Sequence, residues 1–321
     1  MEREKMELLS MEAALSSLIG RMPAVHSQLN YLKGKLHRTV AGIRGEERMR
    51  KRFIEFQPDE EVHALWDIGL AIGSWKTQFD GIVLTERGAI IIDSKNISGR
   101  LHFDDKTGEF YRFDDNDVKE VFDDPRIQLN KNIRFLSKWF ARKKIHMPVS
   151  GLIVFTPKNC EFIVRPKGKH LCKVYQMPEY LFQILKAFPL EAEPPNLLKI
   201  KKQIISGHVP YLRTPLSNKY YIEVNEIRRG VQCTACQAYG MERIKKSWQC
   251  SGCGHRDRYA HKMALREYFS LIDTHITNQA FREWCGVESQ SVAKRLLAHF
   301  DLETSGESKA WKYSIKKKKE R

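Results

Sequence analysis

The sequence predicts an α/β protein, with a central sheet flanked by helices over residues 41–190, a small cysteine-rich ribbon and a helical C-terminal module. Three observations carry this. Short apolar runs that read as strands alternate with amphipathic helical stretches through the middle of the chain. Two Cys-x2-Cys pairs stand thirteen residues apart after position 229. Cap residues and apolar positions at helical spacing recur from there to the C-terminus.

In chain order, residues 1–40 carry Leu8, Leu9, Met11, Leu15 and Leu18 interleaved with charge, and read as an amphipathic helical arm packed on the adjoining α/β segment. Ala41–Phe56 reads as a helix. Gln78–Thr85 and Gly88–Asp93 read as strands around a Glu86-Arg87-Gly88 turn. Ile127–Lys143 is a helix with Ile133, Leu136, Trp139 and Phe140 on one face, Val149–Phe155 a strand and Tyr180–Ala187 a further helix. The Pro-rich stretch Glu191–Asn196 opens a linker that runs to 228. The cysteine block occupies 229–262. Beyond it, Ala264–Ile272 reads as a helix, Thr277 caps another to Trp284, and Ser289 caps a third, Gln290–Phe300. The last two have the spacing of a helix-turn-helix. With a hairpin from Leu302–Gly306 and Ala310–Ile315, the segment 263–321 reads as a winged-helix-like module ending in the basic tail Lys316–Arg321.

Lys and Arg number 55 against 39 Asp and Glu, a net charge of +16, which favours a polyanionic partner. The 42% hydrophobic and 29% charged content is that of a globular protein and excludes collagen-like or disordered chains. No uncharged apolar run is long enough to span a bilayer, and the N-terminus alternates charge with apolar residues, unlike a secretory signal. A cytoplasmic protein with no membrane partner is expected. Seven cysteines, four of them in Cys-x2-Cys pairs, point in a reducing compartment to metal rather than to disulfides.

Cys233, Cys236, Cys250 and Cys253 have the spacing of two knuckles closing a tetrahedral zinc site. Four thiolates leave no open position, so one structural Zn²⁺ is expected. A redox pair or an iron–sulfur site lacks supporting context. Cys160, Cys172 and Cys285 read as buried thiols, and His255 and His261 as surface residues. Arg228, Arg229, Arg243, Lys245, Lys246, Arg256 and Arg258, with Tyr239, Trp248 and Tyr259 among them, suit a nucleic-acid surface, or else a solvated face over core aromatics. Ser291, Lys294, Arg295 and His299 are outward candidates on the last helix, which as part of a helical trio could equally bind protein.

Strand alternation sets Asp93 and Lys95 on one side of their strand, while Ile90, Ile91 and Ile92 occupy both faces of a covered sheet. Asp80, on a neighbouring strand, can approach Asp93. Glu46 falls amid the apolar arc of Ile43, Met49, Phe53, Ile54 and Phe56, where a carboxylate needs a partner. Carboxylates gathered this way suit Mg²⁺ or Mn²⁺ and phosphodiester hydrolysis, with Lys95 orienting water or stabilising charge. The competing reading of Asp-x-Lys is an exposed ion pair.

Gly42-x-x-Gly45-Glu46, Phe79-Asp80-Gly81-Ile82-Val83-Leu84, Arg87-Gly88-Ala89-Ile90-Ile91-Ile92-Asp93-Ser94-Lys95-Asn96-x-Ser98-Gly99-Arg100 and Asp124-Pro125-Arg126-Ile127-Gln128 together resemble the nuclease-related domain, NERD. That family is placed in the PD-(D/E)xK group. The resemblance implies a restriction-endonuclease-like domain with a central mixed sheet, and divalent-metal-dependent cleavage of DNA in preference to RNA. It implies Glu46 as helix acid, Asp80 and Asp93 as Mg²⁺ (or Mn²⁺) ligands, Lys95 as motif lysine and Gln128 as a helical glutamine facing the site. The chain departs from the pattern at Gln78, where the family has Glu, at Asp93, where Glu is commoner, and at Asp124, where it has Asn. The alternatives are a non-catalytic DNA-binding protein with a nuclease-like scaffold, and an adaptor that binds protein.

Overall fold

The computed structural model describes residues 3–114, 116–164, 170–190, 193–210, 213–306 and 311–316. The chain divides into two compact units, Ala41–Tyr211 and Met1–Val40 with Leu212–Arg321.

The chain starts with a short strand, β1 (Glu4–Lys5), and helix α1 (Met11–Arg21), whose first turn is capped by the Ser10 side chain accepting from Ala13 N. Helix α2 (Leu29–Phe53) starts well before the expected Ala41 and ends before Phe56. No proline or cap residue interrupts the helix-forming stretch between 29 and 41, so nothing ends a turn there. Ile54 lies past the helix end and is exposed, so the apolar arc is shorter than the sequence suggested.

The unit Ala41–Tyr211 continues with β2 (Val62–Ile72), β3 (Trp75–Thr85), β4 (Ala89–Lys95), β5 (Gly99–Asp104), β6 (Glu109–Phe113), β7 (Lys119–Phe122), α3 (Pro125–Arg142), β8 (Val149–Phe155), β9 (Cys160–Val164), β10 (Leu171–Lys173), α4 (Met177–Ala187) and α5 (Leu197–Ser206). Its main sheet has the order β10-β8-β4-β3-β2. The run β2-β3-β4 is an antiparallel meander, and β8 lies parallel to β4 after a crossover that carries α3. Ile90, Ile91 and Ile92 are fully buried because both faces are covered. Phe135, Leu136 and Phe140 of α3 share a core with Ile82, Ile91 and Ile153. On the other face Met49 of α2 and Met177, Leu181 and Leu185 of α4 share one with Val83, Ile90 and Ile92. A smaller sheet, β7-β6-β5-β9, contributes Leu101, Phe103 and Phe110 to the α3 side.

The expected linker from 191 to 228 is corrected here. Asn196 caps α5 by accepting from Lys199 N, and Leu197, Ile200 and Ile204 are buried in the core beneath β2 and β3. The Pro194-Pro195 pair precedes a helix start rather than a spacer, and the apolar positions 197, 200 and 204 already have helical spacing.

The other unit adds α6 (Leu216–Tyr220), the ribbon strands β11 (Val231–Gln232), β12 (Tyr239–Ile244), β13 (Ser247–Gln249) and β14 (Arg256–Asp257), then α7 (His261–Leu271), β15 (His275–Thr277), α8 (Asn278–Cys285), α9 (Gln290–Leu297), β16 (Phe300–Ser305) and β17 (Lys312–Ile315). The ribbon is an antiparallel sheet in sequence order. The helices and strands after it have the order of a winged helix, with β15 and β16 flanking β17 and β1 added parallel to β16. Thr277 caps α8 and Ser289 caps α9, as their sequence positions predict. The expected hairpin residue Ala310 and the basic tail beyond Lys316 lie outside the described residues.

The N-terminal arm packs elsewhere than on the adjoining α/β segment. Leu15 and Leu18 of α1 are buried with Leu265 of α7 and Trp284 of α8, in a core that also takes in Val231, Met241 and Trp248 of the ribbon. Arg21 fixes this arrangement. Its guanidinium is fully buried between the rings of Tyr239 and Trp284, 4.5 and 4.4 Å from their centroids. It pairs with Glu267 at 2.5 Å and donates to the carbonyls of Arg228 and Gly230. Among the described residues no helix is long and apolar enough to cross a membrane.

Candidate active site and metal centre

The sheet brings the candidate acids to the end of β4. Strands β3 and β4 are paired as far as Gly81 and Ile92. Beyond that pair the side chain of Asp80 replaces a ladder acceptor. Its Oδ2 accepts from both the backbone N–H and the hydroxyl of Ser94, each at 2.8 Å. Continuing the register by one position sets Asp80 opposite Asp93. Asp93 follows Ile91 on the face covered by α3, and Lys95 follows Asp93 on that face. Lys95 Nζ lies 2.6 Å from Asp93 Oδ2 and donates to Gln128 Oε1 at 2.8 Å.

Gln128 reaches this point because of how α3 begins. The carboxylate of Asp124 accepts from Arg126 N, and Pro125 occupies the first turn. Asp124, where the NERD pattern has Asn, therefore acts as a helix cap, a role either residue can fill.

Glu46 comes from α2, and Gly45 beside it governs the approach of that helix. A Cβ on Gly45 would sit 2.4 Å from Thr156 Oγ1, just past the end of β8. Only glycine lets the helix pass Thr156 this closely. Glu46 is partly exposed, with Arg50 Nη2 3.6 Å from its Oε2. Burial and the negative charges of Asp80 and Asp67 hold its carboxyl above the ordinary range, against the pull of Arg50. Burial likewise raises Asp93; Lys95 opposes this and Asp80 adds to it. The structure thus brings Asp93, Lys95 and Gln128 into direct contact and sets Asp80 and Glu46 within electrostatic reach. Among the described residues no hydrogen bond or ion pair joins Glu46 to Lys95 or Gln128.

Asp67 is the acid that sequence reasoning missed. It lies in β2 between the Trp66–Gly81 and Ile68–Phe79 pairs, at a φ of 55°. There it accepts a hydrogen bond from Gln78 Nε2. The signal available was a lone acid in the apolar run Leu65-Trp66-Asp67-Ile68, which gains meaning only once β2 is registered against β3. Gln78, where the family has an acid, is therefore paired to one.

These oxygens suit a hard divalent cation. Asp80 and Asp93 each engage Oδ2 with protein donors, and their charges raise one another's proton affinity, a repulsion that a cation relieves. Asp80 Oδ1, Asp93 Oδ1 and Glu46 are the atoms that could hold it.

The second centre is the ribbon. The sulfurs of Cys233, Cys236, Cys250 and Cys253 lie within 4.8 Å of one another. Cys233–Cys253 and Cys236–Cys250 sulfur separations are 3.7 and 3.6 Å. Tetrahedral Zn–S bonds of about 2.3 Å place sulfurs about 3.8 Å apart. Backbone N–H groups of Cys253 and Gly252 point at Cys250 Sγ and pull that thiol down to about 7. The cluster could hold a structural metal such as zinc.

Two expectations about the ribbon surface are corrected. His261 is buried, not exposed, and its Nδ1 accepts from the indole N–H of Trp248 at 3.1 Å. Trp248 is a fully buried core residue rather than a stacking platform, and Tyr239 is partly buried against Arg21. Of the three ribbon aromatics Tyr259 is the exposed one. Cys160, Cys172 and Cys285 are buried thiols as expected.

Fold and site together define a mixed α/β unit with acids gathered round an Asp-x-Lys strand end, in one chain with a four-cysteine ribbon and a helix-turn-helix. Residues 41–156 match the family model of NERD, the nuclease-related domain. The match covers just over a third of the chain, lies wholly in the α/β unit and includes Glu46, Asp80, Asp93, Lys95 and Gln128. A nuclease-like family and an interaction with nucleic acid are what this match supports. No curated protein matches the chain, and no solved structure does.

Proposed function

We propose that the chain is a divalent-metal-dependent nuclease that hydrolyses DNA phosphodiester bonds, with its zinc ribbon and helix-turn-helix binding the DNA. The observation that carries this reading is the Asp93–Lys95–Gln128 contact at a strand end beside two further acids, inside a nuclease-related domain. An isolated surface ion pair would not need the carboxylates of Asp80 and Glu46 nearby, since their repulsion is unfavourable without a cation.

Asp80 and Asp93 would hold Mg²⁺ or Mn²⁺, with Glu46 as a further oxygen donor. Such an ion, when bound, supplies positive charge to the phosphoryl oxygens and acidifies a water. Ser94 fixes the Asp80 carboxylate through two hydrogen bonds, so its free oxygen needs no reorganisation. Asp93 and Gln128 hold the Lys95 ammonium in place, where it orients the attacking water or stabilises charge on the pentavalent phosphorus. The four cysteines bind one Zn²⁺ with a structural role.

The test is an incubation of the full chain with plasmid, linear duplex and single-stranded DNA, with Mg²⁺, Mn²⁺, Ca²⁺ or no added divalent ion. Cleavage that needs Mg²⁺ or Mn²⁺ supports the reading. Binding without cleavage under every condition would leave a non-catalytic DNA-binding protein.

A further inference from the structure

Arg243 carries two guanidinium nitrogens, Nε and Nη1, that are buried and have no hydrogen-bond partner. It stands on β12 opposite Trp248, with Cζ 5.4 Å from the centre of that ring. The indole of Trp248 is tied to His261, and His261 meets Phe300 at 6.1 Å between ring centres. Through these contacts the ribbon strands share one core with Ala293, Leu296 and Leu297 of α9. That packing brings Arg295, on the exposed side of α9, and Arg258, just past β14, to Arg243, and their positive charges weigh against it. Among the described residues none of the three has an acidic partner within salt-bridge distance. By contrast Lys262 close by is paired with Glu4.

Three guanidinium groups drawn together without a counterion, one partly desolvated with unused N–H donors, are unfavourable unless an anion joins them. We infer that Arg243, Arg258 and Arg295 form one composite site for a backbone phosphate of nucleic acid, shared between the ribbon and the helix-turn-helix. The planar forks of the arginines suit a phosphate's oxygens, and Tyr259, exposed beside Arg258, offers a face to an adjoining base. The choice of nucleic acid over an acidic protein rests on the nuclease reading and on the +16 charge of the chain.

The experiment measures binding of the full chain to a fluorescein-labelled duplex by anisotropy over a salt series, with Ca²⁺ as the only divalent ion. Arg243→Gln and Arg295→Gln each weaken binding about tenfold near 0.1 M salt, and the double variant is scarcely weaker than either, because both act on one phosphate. The slope of log K against log salt falls by about 0.9 in the double variant. Lys202→Gln, an equal charge loss on α5, leaves both unchanged. Arg295→Gln is a surface change that keeps the test valid if Arg243→Gln fails to fold. Unchanged affinity in Arg295→Gln, or strictly additive losses, would overturn the composite site. So would polyglutamate competing as well as unlabelled DNA at equal charge. Loss of binding in these variants with a wild type that never cleaves keeps the phosphate site and removes the nuclease reading. The reverse result removes the site alone.

Discussion

Lys95 Nζ lies 2.6 Å from Asp93 Oδ2, two positions away on the same strand, and both side chains emerge on the face covered by α3. Neither group reaches the other through chain flexibility; strand alternation points them the same way, and Gln128 holds the ammonium from the far side. The pair is mostly buried, so it belongs to the sheet's end rather than to the solvated surface where Asp-x-Lys pairs are usually found.

The approach of α2 to this site depends on Gly45. Gly45→Ala adds a Cβ that meets Thr156 Oγ1, so the helix must shift or Thr156 must turn away. Denaturant unfolding should show a loss of about 1–3 kcal/mol. Cleavage should fall further than stability accounts for at temperatures where the variant is folded, because Glu46 moves with the helix. Gly45→Ala with wild-type stability and cleavage would remove Gly45 from the account.

In the other unit, Glu267→Ala strands Arg21 as a buried charge among Tyr239, Trp284 and two carbonyls. The expected cost is about 3–5 kcal/mol. Arg21→Met with Glu267→Leu removes both charges and should be less destabilised than Glu267→Ala alone. Chemical denaturation of wild type and the two variants decides this, and a double variant that is the worst of them would contradict it.

His261 predicts a pH dependence. Burial first, then the positive charges of Arg243, His299 and Lys262, push it down to about 4. The unfolded chain takes up that proton near 6.5. Stability is therefore full above about 6.5 and declines as pH falls from there to about 4, by about 3 kcal/mol in all. His261→Gln keeps an acceptor for the Trp248 indole without titrating. The difference in unfolding free energy between wild type and this variant should shrink or reverse as pH falls from 7 to 4.5. A difference independent of pH would mean that His261 is protonated in the fold.

One Zn²⁺ per chain should be found by elemental analysis, and Cys250→Ser should release it. The ribbon shares its core with α7 and α1, so metal loss should lower the melting transition of that whole unit rather than unfold the ribbon alone. Purified wild-type protein without zinc would refute the site.

Features set by local chemistry were legible in the sequence. Thr277 and Ser289 cap the helices their positions announce, and Asp93 and Lys95 share a face because β4 alternates. What was missed depends on partners far away in the chain. Asp67 matters through its register against β3, and His261 and Trp248 are buried because α7 and the ribbon pack on each other. The destination of α1 was hidden for the same reason: Leu9 N donates to Ser270 Oγ, on a helix near the other end of the chain. The helix α5 was overlooked because the Pro-Pro pair before it reads equally as a spacer or as a helix start.

The central claim is that the Asp93–Lys95 strand end performs phosphodiester hydrolysis. Its most direct test compares wild type, Asp93→Asn and Lys95→Gln in Mg²⁺-dependent plasmid cleavage, with duplex affinity measured on the same preparations in Ca²⁺. Both substitutions should lower cleavage by at least about 10²–10³-fold, since each removes an interaction needed in the transition state, while duplex affinity stays within a few-fold. Cleavage by either variant at the wild-type rate would contradict the account.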